Sequence, residues 1–465
     1  AYEIYMGDWS SDVCSSDLFK RAGLKPGMPD GSWLQKYTIG RRKIVAAESS
    51  LEIDEHGVKI PVRFTEGGRF VRGSIPDKPV SAGVLLLGGT LGVKDAEQVP
   101  AGDKIIAWLV DYQKSADNAQ VLRALIARKP VAIVMITNEP NETFGQKVAT
   151  QERELPFISG GDATPPIVEV LESAIDNPAA QATGRPDLAQ LRRSPVPVVM
   201  PAPAEVQATL TLKAQVTQSA TAPNTVGLLP GSDPKLKDEY IVFSAHMDHV
   251  GIGPESRGCR PKDGDNICNG ADDDASGTVG VMELAEAFAT KGLKPKRSII
   301  FLTVSGEEKG LYGSRFFAEY PPVPVSQMVA NFNIDMIGRN WPDTIVAIGK
   351  EHSDLGATLN RVNAQHPELK MTAIDDLWPS ERFYFRSDHY NFARKGVPVL
   401  FFFNGVHDDY HQVSDSPDKI NAEKEARILK LLFYTALEVA NAPARPKWKE
   451  ESYKEIVEGA GRGGN

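Results

Sequence analysis

Histidine and carboxylate residues recur in the second half of this sequence, each group beside a short apolar run. Imidazole and carboxylate groups suit Zn²⁺, and a catalytic zinc site keeps one position open for water. So many acids gathered without a cation would raise one another's pKa. The pattern therefore predicts a metal centre. Its residues are His246, Asp248, His249, Asp272, Asp273, Asp274, Glu307, Glu308, Asp335, Tyr410 and His411.

The elements that must position these residues alternate between strands and helices. The apolar runs predict strands at 240–245, 298–304, 329–334, 344–348 and 397–403, and helices at 276–289, 311–320 and 422–440. Such alternation predicts a largely parallel sheet covered on both faces, with ligands at the carboxyl ends of its strands. Two cations about 3.5–4 Å apart at that edge, bridged by a carboxylate, would activate a water and polarise a carbonyl.

The stretch from residue 62 to residue 203 has a different pattern of apolar runs and loops. It contains short strand-like runs at 84–87, 104–110 and 131–136, joined by loops rich in glycine, proline and asparagine. It carries no cluster of chemically active residues, and it ends in four prolines between Pro195 and Pro203. We therefore expect a domain boundary at these prolines.

From Phe19 to about Ala442 the chain resembles the co-catalytic di-zinc aminopeptidase family, whose bacterial secreted members often carry an inserted protease-associated (PA) domain. The resemblance implies His246 and Asp335 as ligands of one zinc, and Glu308 and His411 as ligands of the other. It implies Asp273 as the bridge, because this residue stands three positions before the Ser276-Gly277 pair. It also implies a cis peptide bond after Asp273.

The same resemblance implies roles for three further residues. Glu307 falls on the general base that deprotonates the attacking water and returns the proton to the leaving amine. Asp248 falls on the carboxylate that orients His246. Tyr410 falls on a tyrosine that steadies the oxyanion in some relatives. The implied activity is a two-zinc exopeptidase that removes N-terminal residues from peptides by means of a metal-bridged hydroxide.

The expected fold is α/β, with a largely parallel-core mixed sheet of the zinc-exopeptidase, phosphorylase/hydrolase-like type and a PA-type insert. The predicted segments are 19–61 and 204–447 for the peptidase domain, 62–203 for the insert, and 448–465 for a tail without fixed structure. Residues 8–18 look like a translated sequencing adapter, so 1–18 are left out of this reasoning.

Other functions remain open on the same residues. A carboxypeptidase or dipeptidase of this fold would need a cation for the substrate's terminal carboxylate, and Arg386 in the Arg386-Ser387-Asp388 run could supply it. A glutaminyl cyclase uses related ligands, and a non-catalytic binding protein could keep the scaffold. The full ligand set and Glu307 count against the last. His249 and His389 lie near the predicted site, and a structural role is favoured for both.

Composition narrows the class of protein. A net charge of −9 argues against a nucleic-acid partner, and no apolar run is long enough to span a membrane. Cys259 and Cys268 flank a short polar loop, which is compatible with a disulfide, although two free thiols are the alternative. A disulfide would suit a secreted or periplasmic enzyme.

Overall fold

The computed structural model describes residues 9–160, 164–176, 187–203, 206–253, 258–290 and 292–459. The chain divides into two compact units. Of the described residues, those within 9–39 and 220–459 form the larger unit, and those within 40–219 form the smaller. Among the described residues, no helix combines the length and apolar character that crossing a membrane requires.

The larger unit is built on a mixed sheet with a parallel centre. Its strands are β1 (Lys25–Pro26), β2 (Leu34–Ile44), β3 (Ala214–Leu229), β4 (Tyr240–His246), β5 (Ser298–Val304), β6 (Met328–Ile334), β7 (Thr344–Ile348), β8 (Thr372–Ile374) and β9 (Val399–Phe402). They lie in the order β8-β7-β9-β6-β4-β5-β3-β2. Strands β5, β4, β6 and β9 are mutually parallel, whereas β3 and β7 run antiparallel to their neighbours β5 and β9. The carboxyl ends of the central strands therefore meet at one edge.

Helices cover both faces of this sheet. They are α1 (Trp9–Arg21), α2 (Gly277–Phe288), α3 (Tyr312–Glu319), α4 (Leu355–Gln365), α5 (His389–Ala393), α6 (Ala422–Asn441) and α7 (Glu450–Ile456). Successive side chains of a strand point to opposite faces. Phe243 of β4 accordingly belongs to the core formed with α2 and α6, while its neighbour Val242 belongs to the core formed with α3 and α5. The predicted α/β class with a parallel centre is confirmed.

The smaller unit has its own mixed sheet. Its nine strands are Ser50–Glu55, Val58–Arg63, Gly68–Arg72, Val80–Gly88, Ile105–Val110, Ala132–Thr137, Ile167–Leu171, Val198–Pro201 and Gln207–Thr211. The short strand Leu155–Ile158 is not part of this sheet. Its helices are Val93–Ala96, Ser115–Ala127, Asn141–Ala149, Glu172–Ile175 and Leu188–Arg192. Four of the strands pair in parallel at its centre, from Val80–Gly88 to Ile167–Leu171.

The division of the chain differs from the predicted segments at three places. Ser50–Glu55 pairs with Val58–Arg63 and Gln207–Thr211, so these strands belong to the smaller unit, which spans 40–219 rather than 62–203. The proline-rich stretch lies within the smaller unit rather than at its end, because Val198–Pro201 within it and Gln207–Thr211 after it both pair with Val80–Gly88. Helix α7 lies in the segment expected to lack structure, and its Ile456 is buried in the core.

Candidate metal centre

The predicted ligands come together at the carboxyl edge of the parallel strands. His246 is the last residue of β4, Asp335 directly follows β6, and Glu308 lies four residues after β5. Asp273 lies in the turn that leads into α2, and His411 lies in the loop after β9. Because these strands are parallel neighbours, their ends deliver the side chains to one place.

One group of ligands, the first half-site, consists of His246, Asp335 and the Oδ1 atom of Asp273. His246 Nε2 lies 3.2 Å from Asp273 Oδ1 and 3.8 Å from Asp335 Oδ2. The three residues are only 1 %, 7 % and 3 % exposed, respectively. These donor atoms are close enough together to hold one metal ion.

The other group, the second half-site, consists of His411, Glu308 and the Oδ2 atom of Asp273. His411 Nε2 lies 3.2 Å from Asp273 Oδ2 and 3.3 Å from Glu308 Oε1. Asp273 thus presents one oxygen to each half-site. His249 also lies here, with its Nδ1 atom 3.0 Å from Glu308 Oε1 and 3.7 Å from Asp273 Oδ2.

These residues fit zinc by two observations. Donors around a tetrahedral zinc ion stand roughly 3.3 Å apart, because Zn–N and Zn–O bonds are about 2.0–2.1 Å long. The distances of 3.2 Å from His246 to Asp273 and of 3.2 Å and 3.3 Å from His411 to Asp273 and Glu308 match that spacing, whereas His246 and Asp335 are 3.8 Å apart. In addition, the buried Glu308 Oε1 and His411 Nε2 atoms lie 3.3 Å apart, but within the described ranges neither makes a hydrogen bond of good geometry. Such orphaned buried groups require a partner, and a cation supplies one.

The carboxylates gathered in the centre need positive charge to compensate them. Burial raises the pKa of Glu307 well above its usual value and that of Asp335 to about 7. Burial alone would lower the pKa of His411, but its contacts with Asp273 and Glu308 raise it to about 9. Without metal, protons on the histidines compensate the carboxylates. Divalent cations would take over this role.

Asp274 supports the first half-site through hydrogen bonds with the main chain. Its carboxylate accepts hydrogen bonds from three backbone N–H groups, those of His246 at 3.0 Å, Gly277 at 3.0 Å and Met336 at 3.1 Å. It therefore joins the end of β4, the start of α2 and the residue after Asp335. Gly277 is required at this position, since a Cβ atom there would lie 2.3 Å from Asp274 Oδ1. The peptide bond between Asp273 and Asp274 is cis, as the family resemblance predicted.

Asp272 and Asp415 hold the same turn from its other side. Asp415 accepts hydrogen bonds from the N–H groups of Asp272 and Asp273, at 3.0 Å and 3.2 Å. Asp272 in turn accepts from Gly338 N at 2.6 Å, and its other oxygen lies 3.1 Å from His407 Nε2. Of the three consecutive acids, Asp273 alone turns towards the candidate ligands, and its neighbours hold backbone groups.

Further contacts orient individual ligands. Ser387 Oγ donates to Asp335 Oδ2 at 2.9 Å, and Asn333 donates to Ser387 at 3.1 Å. The backbone carbonyl of Asp248 lies 2.9 Å from His246 Nδ1, whereas the Asp248 carboxylate is 3.9 Å away and accepts from Glu307 N at 3.1 Å. The contact that orients His246 is thus made by the main chain of Asp248.

The predicted disulfide between Cys259 and Cys268 is present and lies beside the second half-site. Both cysteines pack with Val250 and Val413 in a small apolar cluster. Val250 follows His249, and Val413 lies two residues after His411. The disulfide-closed loop therefore fixes the two segments that carry these histidines.

The remaining predicted residues have varied surroundings. The Tyr410 ring stacks on His411 with 3.9 Å between centroids, and burial with the nearby acids raises the pKa of its hydroxyl. His389 is fully buried against Phe401, as favoured from sequence, and burial lowers its pKa to about 3. Arg386 is half-exposed, 3.5 Å from Glu381, with its guanidinium over the Phe383 ring. Asp388 is buried at the start of α5 without a side-chain cap.

Sequence reasoning missed the contacts made by four residues around the centre. They are His249, Asp274, His407 and Asp415. Their motifs include histidines and acids, but no spacing rule predicts that a loop residue such as Asp415 accepts hydrogen bonds from residues more than a hundred positions away.

Comparison with known proteins finds a family that is similar to the part of the chain that carries this centre. Residues 224–436 match peptidase family M28. This stretch lies within the larger unit. It contains both half-sites, Glu307 and the disulfide-closed loop.

Individual curated proteins and solved structures are also similar to this chain. A probable zinc metalloprotease of Pyricularia oryzae is 28% identical over 265 residues, which cover 47% of this chain and 50% of the relative. Leupeptin-inactivating enzyme 1 of Streptomyces exfoliatus is 27% identical over 213 residues, covering 45% and 42%. The matches thus span about half the length of these curated relatives. An aminopeptidase structure from Aneurinibacillus sp. aligns with 94% of this chain and 90% of its own, at 19% identity and a TM-score of 0.43.

Proposed function

We propose that the protein is a two-zinc peptidase that removes N-terminal residues from peptides. One observation carries the metal assignment: the two oxygens of Asp273 face different histidines, Oδ1 towards His246 and Oδ2 towards His411, each at 3.2 Å. His246 and Asp335 would hold the first zinc, and Glu308 and His411 the second. The M28 match and the relatives named zinc metalloproteases support this proposal.

Bound zinc ions supply Lewis acidity and an activated water. Glu307 would accept the proton of that water and return it to the leaving amine. Burial raises the pKa of Glu307 above its usual value, which is the direction that a general base needs to hold a proton between the two steps. The Tyr410 hydroxyl, whose raised pKa keeps it protonated, would donate a hydrogen bond to the oxyanion. The Asp248 carboxylate would hold Glu307 in place by accepting a hydrogen bond from the backbone N–H of Glu307.

Charge favours an aminopeptidase over a carboxypeptidase. Glu307 and Glu308, the partly exposed acids beside the centre, have the sign of charge that would attract the ammonium group of a peptide's N-terminus. A carboxypeptidase needs a cation for the substrate's carboxylate. Arg386, the residue predicted for that role, is already engaged with Glu381 and Phe383.

The test combines metal content with a panel of substrates. Purified protein should contain two zinc ions per chain, lose its activity with a chelator and regain it with zinc. Free aminoacyl chromogenic substrates should be cleaved, whereas the N-acylated versions should not. Activity that survives complete metal removal would contradict the metal assignment, and hydrolysis of only the blocked substrates would contradict the aminopeptidase assignment.

Glu307→Gln tests the base. We expect it to keep both zinc ions and to lose turnover by about 10²–10⁴-fold, because a positioned acid–base group contributes that much. Glu423→Gln, an exposed change on α6, is the matched control and should retain full activity. A metal-replete Glu307→Gln protein with normal turnover would remove Glu307 from this role.

We further propose that the smaller unit is a PA-type domain and that the enzyme works in the periplasm or outside the cell. The Cys259–Cys268 disulfide supports this location, since such bonds persist in oxidising compartments. Thiol labelling of protein taken directly from its native compartment tests it. Free Cys259 and Cys268 would contradict the proposal.

A further inference from the structure

A groove lies between helices α2 and α6 of the larger unit. Its volume is about 840 Å³, which is in the range typical of sites for small molecules. The two helices touch where a Cβ atom on Gly280 would lie 3.0 Å from the Leu429 side chain. Ala287 of α2 and Ala426 of α6 line the groove, and their small side chains leave it open. The space between the helices is therefore large enough for an organic ligand.

The walls of the groove are largely apolar. Val279 of α2 lines it and is 46% exposed. Ile420 and Phe433 also line it, and both are partly exposed. Apolar surface that is in contact with water gains free energy when a ligand covers it. The groove therefore favours a ligand with an apolar body.

Glu425 of α6 places a carboxyl group in this apolar surrounding. The residue lines the groove and is only 7% exposed. Among the described residues, no hydrogen bond or ion pair reaches its carboxyl oxygens. The ammonium group of the neighbouring Lys424 donates to the carbonyl oxygen of Arg339 instead. A buried carboxylate without a partner is costly, so the position of Glu425 favours a positively charged ligand.

The other charges on the lining of the groove support the same sign. Glu283 of α2 lines the groove too, and its charge adds to burial and Asp272 in raising the pKa of Glu425 to about 7. Lys430 also lines the groove, but it is exposed, so water and salt screen its charge. The balance of charge on the lining therefore favours a cation.

We propose that this groove binds a small amphiphilic ammonium compound, with its apolar body on Val279 and Phe433 and its ammonium group on Glu425. None of the proposed zinc ligands lines the groove, although Ser276, from the turn that carries Asp273, does. The site is thus separate from the metal centre. The inference does not depend on the proposed peptidase function, since binding can be measured whether or not the chain cleaves peptides.

Methyl NMR of the zinc-loaded full chain tests the proposal, because it reports where a ligand binds. Phenylbutylamine and phenylbutanol are the probes, since they share an apolar body and differ in carrying an ammonium or a hydroxyl group. At pH 8 the amine should shift the methyl signals of Val279 and Ile420 in a saturable way. It should bind at least about 10-fold more tightly than the alcohol, because a hydrogen bond to a charged partner contributes that much.

Two variants and a control locate the interaction. Glu425→Gln should remove the preference for the amine over the alcohol, whereas Glu423→Gln, which changes an exposed acid on the same helix, should keep it. Ala426→Trp should fill the groove and abolish the shifts caused by both probes.

Three results would overturn the proposal. Equal affinities of wild-type protein for the amine and the alcohol would do so, whether or not the variants fold. Shifts confined to Val250 and Val413, which lie beside the second half-site, would show that the amine binds at the metal centre instead. Groove signals that change with protein concentration and not with the amine would identify a second copy of the chain as the occupant.

Discussion

The two half-sites share Asp273 but are built differently. His246 and Asp335 of the first half-site stand at the ends of β4 and β6, and the His246 side chain is only 2% exposed. In the second half-site His411 lies in a long loop after β9, and its side chain is 24% exposed. One half-site is thus part of the sheet, and the other is assembled beside it.

The difference lies in what holds each half-site together. The first is fixed by hydrogen bonds from the main chain, through Asp274 and its three N–H donors. The second depends on the small apolar cluster of Val250, Val413 and the disulfide. Two ligand sets of similar chemistry are thus held in place by different interactions. Mutations that remove one kind of interaction should therefore weaken zinc binding at one half-site only.

Removing Asp273, the residue that the two half-sites share, should weaken zinc binding at both of them. In Asp273→Ala both half-sites lose a donor, so we expect zinc content to fall towards none and turnover to drop by more than about 100-fold. Metal analysis and kinetics measure both effects. Asp343→Ala removes an exposed acid in the loop between β6 and β7, and it should change neither the zinc content nor the turnover. If Asp273→Ala kept one zinc at full affinity, the carboxylate would not be shared.

Asp274→Asn should weaken the first half-site selectively. An amide cannot accept all three backbone N–H groups that the carboxylate now holds, and its own N–H₂ group would face one of them. We expect the affinity for the first zinc to fall by about 10–100-fold, the usual effect of losing a group that supports a ligand. Stepwise zinc titration should show the second site unchanged. Equal weakening of both sites would contradict the comparison.

Removing the disulfide should weaken zinc binding at the second half-site and leave the first half-site unchanged. In the Cys259→Ser, Cys268→Ser double variant, the loop beside His249 and His411 is no longer closed, and we expect about a 10-fold loss of affinity at the second site alone. Opening so short a loop should also lower the free energy of unfolding by about 2–3 kcal/mol. Zinc titration and chemical denaturation measure the two effects. Reduced wild-type protein should behave like the double variant, and a loss at the first site would be the contrary result.

Glu425 on α6 shows what burial does to an acid outside both half-sites. Burial and the nearby Asp272 raise its pKa from 4.5 to about 7, so the folded protein keeps a proton that the unfolded chain loses above pH 4.5. Stability is therefore lost as the pH rises from about 4.5 to about 7. Glu425→Gln should remove this loss and stabilise the protein by roughly 1–3 kcal/mol at pH 8, with little effect at pH 4.5.

Thermal unfolding of zinc-loaded protein at the two pH values checks this prediction. Zinc content and turnover should not change in Glu425→Gln. A stabilisation that is the same at both pH values would show that packing, rather than ionisation, explains the effect.

Much of this arrangement could be predicted from the sequence, because it follows from strand periodicity. Strands β5 and β7 have the predicted bounds, and the strand ends bring His246 and Asp335 to one edge. What periodicity cannot predict is the direction of side chains in loops. His249 resembles a structural histidine in sequence, and a run of three acids resembles a solvated turn until Asp272 and Asp274 are seen to be buried. The boundary of the smaller unit was likewise misplaced because Ser50–Glu55 pairs with a strand about 150 residues later.

The shared carboxylate of Asp273 also makes the two half-sites thermodynamically dependent on each other. A cation on Oδ1 orients the carboxylate and draws electron density from it, which alters how Oδ2 binds a second cation. Linkage makes such an effect reciprocal: the factor by which the first ion changes the affinity of the second half-site equals the factor by which the second ion changes that of the first. The order in which two cations bind would therefore leave the final state unchanged, and Asp273 would set the free energy that couples them.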